Sequence, residues 1–263
     1  MRERVLIIAC GALAPEIRSV LRADGLDHVD LTCLPADLHM RPQLIAEGVR
    51  LAIRRARGAY DRIYCAYAQC GADGLDAVLE AEGVERIDGP HCYAFYAGQS
   101  TFVALADAEP ATFYLTDFLA RQFDRIVLRS LGADRHPELM SLYFGNYRRL
   151  VYLAQTDDAE LTDKARRVAA GLGLEFERRF AGLGELGDFV RRAAHGEEGG
   201  AKDRSLLARH SGPGDRQAGP GDGEEAAWRA LRAGHRPGRD ARRPHRQRRL
   251  SRTVAPERSL SGK

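Results

Sequence analysis

Chemistry in this chain falls to cysteines and histidines that follow short apolar runs. The run Val5–Cys10 ends on Cys10-Gly11, and Val29–Leu34 leads to His39. Arg62–Tyr67 leads to Cys70-Gly71, and Val84–Ile87 to Gly89-Pro90-His91-Cys92. In open α/β sheets, ligands bind beyond the carboxyl ends of the strands. Thiolate and imidazole are the ligands of zinc and, with more sulfur, of iron–sulfur clusters. Glycine beside a cysteine lets backbone approach a ligand closely. Cys10, Cys70 and Cys92 are therefore candidate metal ligands, with His91 or His39 as a fourth. Three protein ligands would leave one position open for substrate.

Free cysteine is also a common core residue, and core packing competes with ligation at all three positions. Cys33 and Cys65 fall inside strands and read as core. His39 reads equally well as a polar residue near a helix start, while His28 and His195 are not candidates. The five cysteines are odd in number and form no C-x-x-C pair, so no disulfide framework is expected. Thiol redox chemistry is a further option and needs a lowered thiol pKa. Asp134-Arg135-His136-Pro137-Glu138 reads as a helix start, with Pro137 at its first position, which leaves Arg135 and His136 over. Asp117 reads first as an N-cap and second as a polar pocket group. Tyr93, Phe95, Tyr96, Phe113, Tyr114, Phe118, Tyr143, Phe144 and Tyr147 gather aromatics mid-chain, a density found in cores and around cofactors. No phosphate-binding P-loop, G-x-S-x-G elbow or dinucleotide fingerprint is present.

The elements that must position these groups alternate in type. Val5–Cys10, Val29–Leu34, Arg62–Tyr67, Val84–Ile87, Arg125–Leu128, Leu150–Ala154 and Leu174–Phe180 read as strands, and Thr112–Thr116 as strand or helix. Ala14–Ala23, Pro42–Arg57, Leu75–Glu82, Gly98–Ala108, His136–Tyr147, Leu161–Gly171 and Leu183–Ala194 read as helices. Alternation of this kind predicts an α/β, Rossmann-like domain over residues 1–195, mainly one parallel sheet with helices on both faces. The long connection 90–147 is expected to form a lid or subdomain.

From Gly196 on, 14 Arg, 11 Gly and 5 Pro accompany very few aromatic or β-branched residues. Such a composition cannot offset chain entropy by burial, so residues 196–263 are expected to be a disordered basic tail. It is also what a GC-rich gene yields in the wrong frame, and a frameshift is the favoured origin. The tail holds 16 basic and 9 acidic residues, so the remainder is mildly acidic despite an overall charge of +3. Nucleic acid and membranes are not expected partners. No apolar run reaches the length of a membrane span, and Val5–Cys10 is too short for a signal peptide, so a cytoplasmic protein is expected.

The strings Ile7-Ile8-Ala9-Cys10-Gly11-Ala12-Leu13, Cys70-Gly71, Gly89-Pro90-His91-Cys92-Tyr93, Leu115-Thr116-Asp117-Phe118-Leu119, Asp134-Arg135-His136-Pro137-Glu138-Leu139 and Tyr143-Phe144-Gly145-Asn146-Tyr147 resemble the prokaryotic family known as domain of unknown function sixteen-thirty-eight. The resemblance runs from about Val5 to about Leu186. It implies an association with corrinoid-dependent methyl transfer and no settled activity. Family members commonly read Cys-Gly-Thr-Gly-Gly where this chain has Cys70-Gly71-Ala72-Asp73-Gly74, so a hydroxyl is missing here. The tail has no counterpart. The expected function is metal or cofactor binding, with zinc or an iron–sulfur cluster as cofactor and a link to corrinoid-dependent methyl transfer implied by the resemblance, which leaves open whether the chain is itself an enzyme. Gly11, Gly71, Tyr96, Asp117, Arg135, His136 and Asn146 are candidate ligand-binding residues. The alternative is a metal-free binding or accessory module that contacts a small molecule, a corrinoid or a corrinoid protein.

Overall fold

The computed structural model describes residues 3–197. Its first strand, β1 (Val5–Cys10), is buried along its whole length. A strand covered on both faces reads as a continuous apolar run, as this one does. It pairs in parallel with β2 (Val29–Leu34) on one side and β3 (Arg62–Ala66) on the other, with Val5 opposite Val29 and Arg62. The two-residue β4 (Glu85–Arg86) adds to β3, giving the order β2-β1-β3-β4. Helices α1 (Ala14–Ala23), α2 (Ile45–Ala56) and α3 (Leu75–Glu82) make the crossovers. Ile45, Val49, Ala52, Ile53 and Ala56 of α2 recur at helical spacing and are buried against this sheet.

A second parallel sheet follows, in the order β5-β6-β7. It is reached through α4 (Cys92–Ala97) and α5 (Gln99–Ala108) and consists of β5 (Thr112–Thr116), β6 (Arg149–Ala154) and β7 (Glu175–Phe180). Helices α6 (Asp117–Phe123), α7 (Leu139–Phe144) and α8 (Ala159–Leu172) belong to this half. Central β6 shows the two-residue alternation of a strand clearly. Its Leu150, Tyr152 and Ala154 pack with Phe123, Leu161 and Ala165, whereas Val151 and Leu153 pack with Ala94, Phe102 and Leu105 of α4 and α5. The last helix, α9 (Gly184–His195), returns to the first sheet, where Leu186, Phe189, Val190 and Ala193 join its core. Among the described residues, no helix is long and apolar enough to cross a membrane.

The expected α/β class with parallel strands and flanking helices is what is found, with the strands shared between two sheets. Periodicity along the chain does not say which strands pair, so one sheet and two look alike in sequence. Segment 90–147 holds α4, α5, β5, α6 and α7. Arg125–Leu128, expected as a strand, is instead part of a π-helical turn over Asp124–Leu128 that continues α6 and is closed by Arg129 N–H donating to the Asp124 carbonyl. A four-residue apolar run does not distinguish strand from helix. Helix α7 begins two residues after Pro137, and Glu138 accepts from His136 Nδ1 at 3.2 Å rather than capping by its side chain. The reading of 196–263 as a disordered tail falls, from residue 198 on, outside the described residues.

Asp117 fastens the second half together. The N-cap of α6 is Thr116, whose hydroxyl accepts from Leu119 N–H, so Asp117 is not the cap. Its carboxylate instead accepts four hydrogen bonds across the sheet, from the Tyr152 hydroxyl and Gln155 N–H at one oxygen and from Thr156 N–H and hydroxyl at the other. Asp117 N–H donates to Gln155 Oε1 at 2.7 Å. A fully buried carboxylate is tolerable only when its lone pairs are met in this way. Asp117→Asn turns one acceptor into a donor facing donors, and should lower unfolding free energy by about 2–4 kcal/mol in chemical denaturation. A loss under about 0.5 kcal/mol would show that the network carries no stability.

Candidate metal centre

Four loops at the carboxyl end of the first sheet meet at the candidate ligands. Cys10 closes β1, and its Sγ accepts from Ala12 N–H at 3.4 Å. A Cβ on the next residue, Gly11, would stand 3.0 Å from the Leu34 carbonyl oxygen and 3.3 Å from Ala36 N. The turn after β1 is thus pressed onto the end of β2, where any side chain would be crowded against backbone. That contact brings in the short turn Ala36–Met40, which carries His39. The His39 Nδ1 lies 3.1 Å from the Ala36 carbonyl and 3.8 Å from Cys10 Sγ. With Nδ1–H given to that carbonyl, Nε2 is the nitrogen that a metal could take once its proton is displaced.

The loops after β3 and β4 are tied together by backbone. Gln69 N–H donates to the Gly89 carbonyl at 3.2 Å and Cys70 N–H to the Pro90 carbonyl at 3.0 Å. Cys70 is the one non-glycine residue with positive φ among the described residues, at 42°. Left-handed backbone costs a cysteine about 1–2 kcal/mol, and the Pro90 bond helps to hold it there. Cys92 follows as the first residue of α4. Ligand atoms of His39, Cys70 and Cys92 then lie within 4.8 Å of one another, a group able to hold a metal ion.

The protonation of this group follows from its contacts. The Cys70 thiol is held far below its ordinary value, first by a hydrogen bond from Cys92, against its own burial, and further by His39 and His91. Cys92 is pushed up because it supplies that proton and because it is buried. His39 is raised chiefly by hydrogen bonds to Cys10 and then to Cys70. The unit is an imidazolium and a thiol sharing protons with a thiolate. A divalent cation can replace such protons. Cys33 and Cys65 behave oppositely, with burial pushing them up to about 11 and about 12, as expected of inert core thiols.

The candidate ligands read from sequence are therefore placed unequally. His39, Cys70 and Cys92 form the close group, and Cys10 stands beside it through His39. His91 is exposed and reaches Cys70 by a hydrogen bond, while its ring packs on Phe102 and Tyr93 at centroid distances of 6.1 and 6.4 Å. Gly11 and Gly71 flank Cys10 and Cys70. Tyr96 is buried in α4 and hydrogen-bonded to Glu16. Asp117 is occupied as described. Arg135, His136 and Asn146 are exposed on the segments either side of α7. Two groups escaped the sequence reading. Glu16, in the first turn of α1, is buried near Asp117 with Oε2 lacking a partner, and burial raises its carboxyl. Gln69 Oε1, one residue before Cys70, is likewise buried and unpartnered. Position was the available signal, since both sit on strand-end loops or the helix start that follows one.

The family model described as protein of unknown function (DUF1638) matches residues 33–190, more than half of the chain. The chain belongs to the DUF1638 family. The match spans His39, Cys70, His91, Cys92 and Asp117 and begins after Cys10 and Glu16. No curated protein and no solved structure matches.

The charge state of the site can be read by alkylation of metal-free protein. Cys70 is held well below the ordinary thiol range by Cys92, His39 and His91, so its iodoacetamide labelling should stay level from about pH 5 to about pH 8. Cys33 and Cys65 should label only slowly and faster with rising pH. A Cys70 rate rising about tenfold per pH unit over that range would contradict the assignment.

Proposed function

We propose that this chain is a metal-binding protein that holds a single divalent ion, zinc in the first instance, on His39, Cys70 and Cys92. The fourth position is open to a small-molecule substrate or taken by Cys10. The observation that carries this reading is the mutual approach of one imidazole and two thiols within 4.8 Å. Zinc–sulfur bonds of about 2.3 Å and zinc–nitrogen bonds of about 2.0 Å, set tetrahedrally, space ligand atoms by about 3.5–3.8 Å. The observed group needs only slight contraction to fit one ion. An iron–sulfur cluster would spread its thiolates around several irons, so the close spacing favours zinc.

An ion with a free position polarises what binds there and lowers the pKa of a bound thiol or water. The association with methyl transfer implied by the family resemblance suits this, because a zinc-bound thiolate is a nucleophile toward a methyl donor. A second reading, a metal-free module that binds a cofactor such as a corrinoid, draws on the aromatic group His91, Tyr93, Phe102 and Tyr114, whose ring centroids stand 5.0–6.4 Å apart beside Cys92. That reading requires cofactor binding to survive replacement of the cysteines by serine.

Protein purified under reduction and without oxygen should carry about one equivalent of zinc by elemental analysis. Cys70→Ser and His39→Ala should each cut affinity by about 100-fold or more in chelator competition. Less than about a third of an equivalent of any transition metal, after zinc is offered, would sink the proposal.

A further inference from the structure

Cys70 and Cys92 are placed for a second chemistry that rests on the metal reading and gives it a control. Their Sγ atoms lie within 4.8 Å of each other. A disulfide requires approach to about 2.05 Å, and two sulfurs this near on adjoining loops need only a local movement. Both residues leave strands behind. Cys70 sits in left-handed loop backbone, and Cys92 follows His91, whose backbone is extended at φ −143°. Loops of this kind can rearrange by small torsional changes, whereas Cys65 is locked within β3. The Gln69–Gly89 and Cys70–Pro90 hydrogen bonds keep the two loops adjacent while the side chains move. As whole residues Cys70 and Cys92 are half-buried, whereas Cys10 and Cys65 are fully buried.

We infer that Cys70 is a site of oxidation by hydroperoxides, that Cys92 is its resolving thiol, and that the disulfide so formed expels the bound ion. The Cys70 sulfur attacks one oxygen of hydrogen peroxide. An S–O bond forms, the O–O bond breaks, and hydroxide leaves and takes a proton from solvent. The Cys92 sulfur then attacks the Cys70 sulfur. An S–S bond forms, the S–O bond breaks, and the second oxygen departs as water. The two thiols lose two electrons and the peroxide is reduced to two waters. Of the close group, only His39 then remains as a ligand, too few to hold the ion.

The test uses the full chain, reduced and offered zinc, then treated with stoichiometric hydrogen peroxide. Zinc release to a chromophoric chelator should keep step with a fall in free thiols from five to three per chain. Peptide mass spectrometry should place the new bond at Cys70–Cys92, with fragmentation excluding Cys65 on the same tryptic peptide. Dithiothreitol should restore both thiols and zinc binding. In Cys92→Ser, a dimedone-reactive sulfenic acid should accumulate at Cys70. Zinc that binds and then stays while Cys70 and Cys92 remain reduced would overturn the inference, as would a bond to Cys10 in place of Cys92. A chain that takes up no zinc yet forms the Cys70–Cys92 bond would support the modification site and count against the metal reading.

Discussion

The site depends on crowding one imidazole and two thiols into a single half-buried place. Burial by itself would leave each neutral, because desolvation disfavours charge. Contact reverses that preference. Cys70 becomes the anion because Cys92 and His39 give it hydrogen bonds, and each donor is held protonated in return. Such a unit is stable only while all its members stay in place, and the surrounding loops are built to keep them there. Gly11 admits the end of β2, the Ala36 carbonyl orients His39, and the paired loops after β3 and β4 bring Cys92 to Cys70. The unfavourable backbone of Cys70 is part of the same arrangement.

The remainder of the fold serves this placement in layers. Parallel strands send every chain segment out of the first sheet at the same edge, so residues far apart in sequence meet there. Helix α9 then returns from the second sheet and covers the first, with Phe189 edge-on to Tyr64. The second sheet is organised by Asp117, whose carboxylate gathers the ends of β5 and β6. Glu16 connects the halves. It extends from α1, bonds Tyr96 of α4 and feels the charge of Asp117. Its second oxygen is buried without a partner.

Much of this was legible in the sequence. The continuous apolar run of β1, the stripes of α2 and the Asp158-to-Gly173 span of α8 carry their own boundaries in caps and spacing. The strand-end argument reached Cys10, His39, Cys70 and Cys92 because a parallel sheet leaves little choice about where strand ends point. It did not rank His39 above His91, since that depends on Gly11 pressing the first turn onto the second. It did not separate one sheet from two, because strand pairing is a long-range property absent from local periodicity. Arg125–Leu128 misled because a short apolar run is equally at home in a wide helical turn. Glu16 and Gln69 lay hidden among ordinary helix-start and loop residues. Their distinction is burial without a partner, which only three-dimensional structure displays.

X-ray absorption at the zinc edge, on protein loaded with one equivalent of zinc, tests the central claim most directly. The account predicts a four-coordinate ion with two or three sulfur neighbours at about 2.3 Å and an imidazole nitrogen at about 2.0 Å. One sulfur should be lost from the shell in Cys70→Ser. A shell of oxygen and nitrogen alone, unchanged by that substitution, would contradict it.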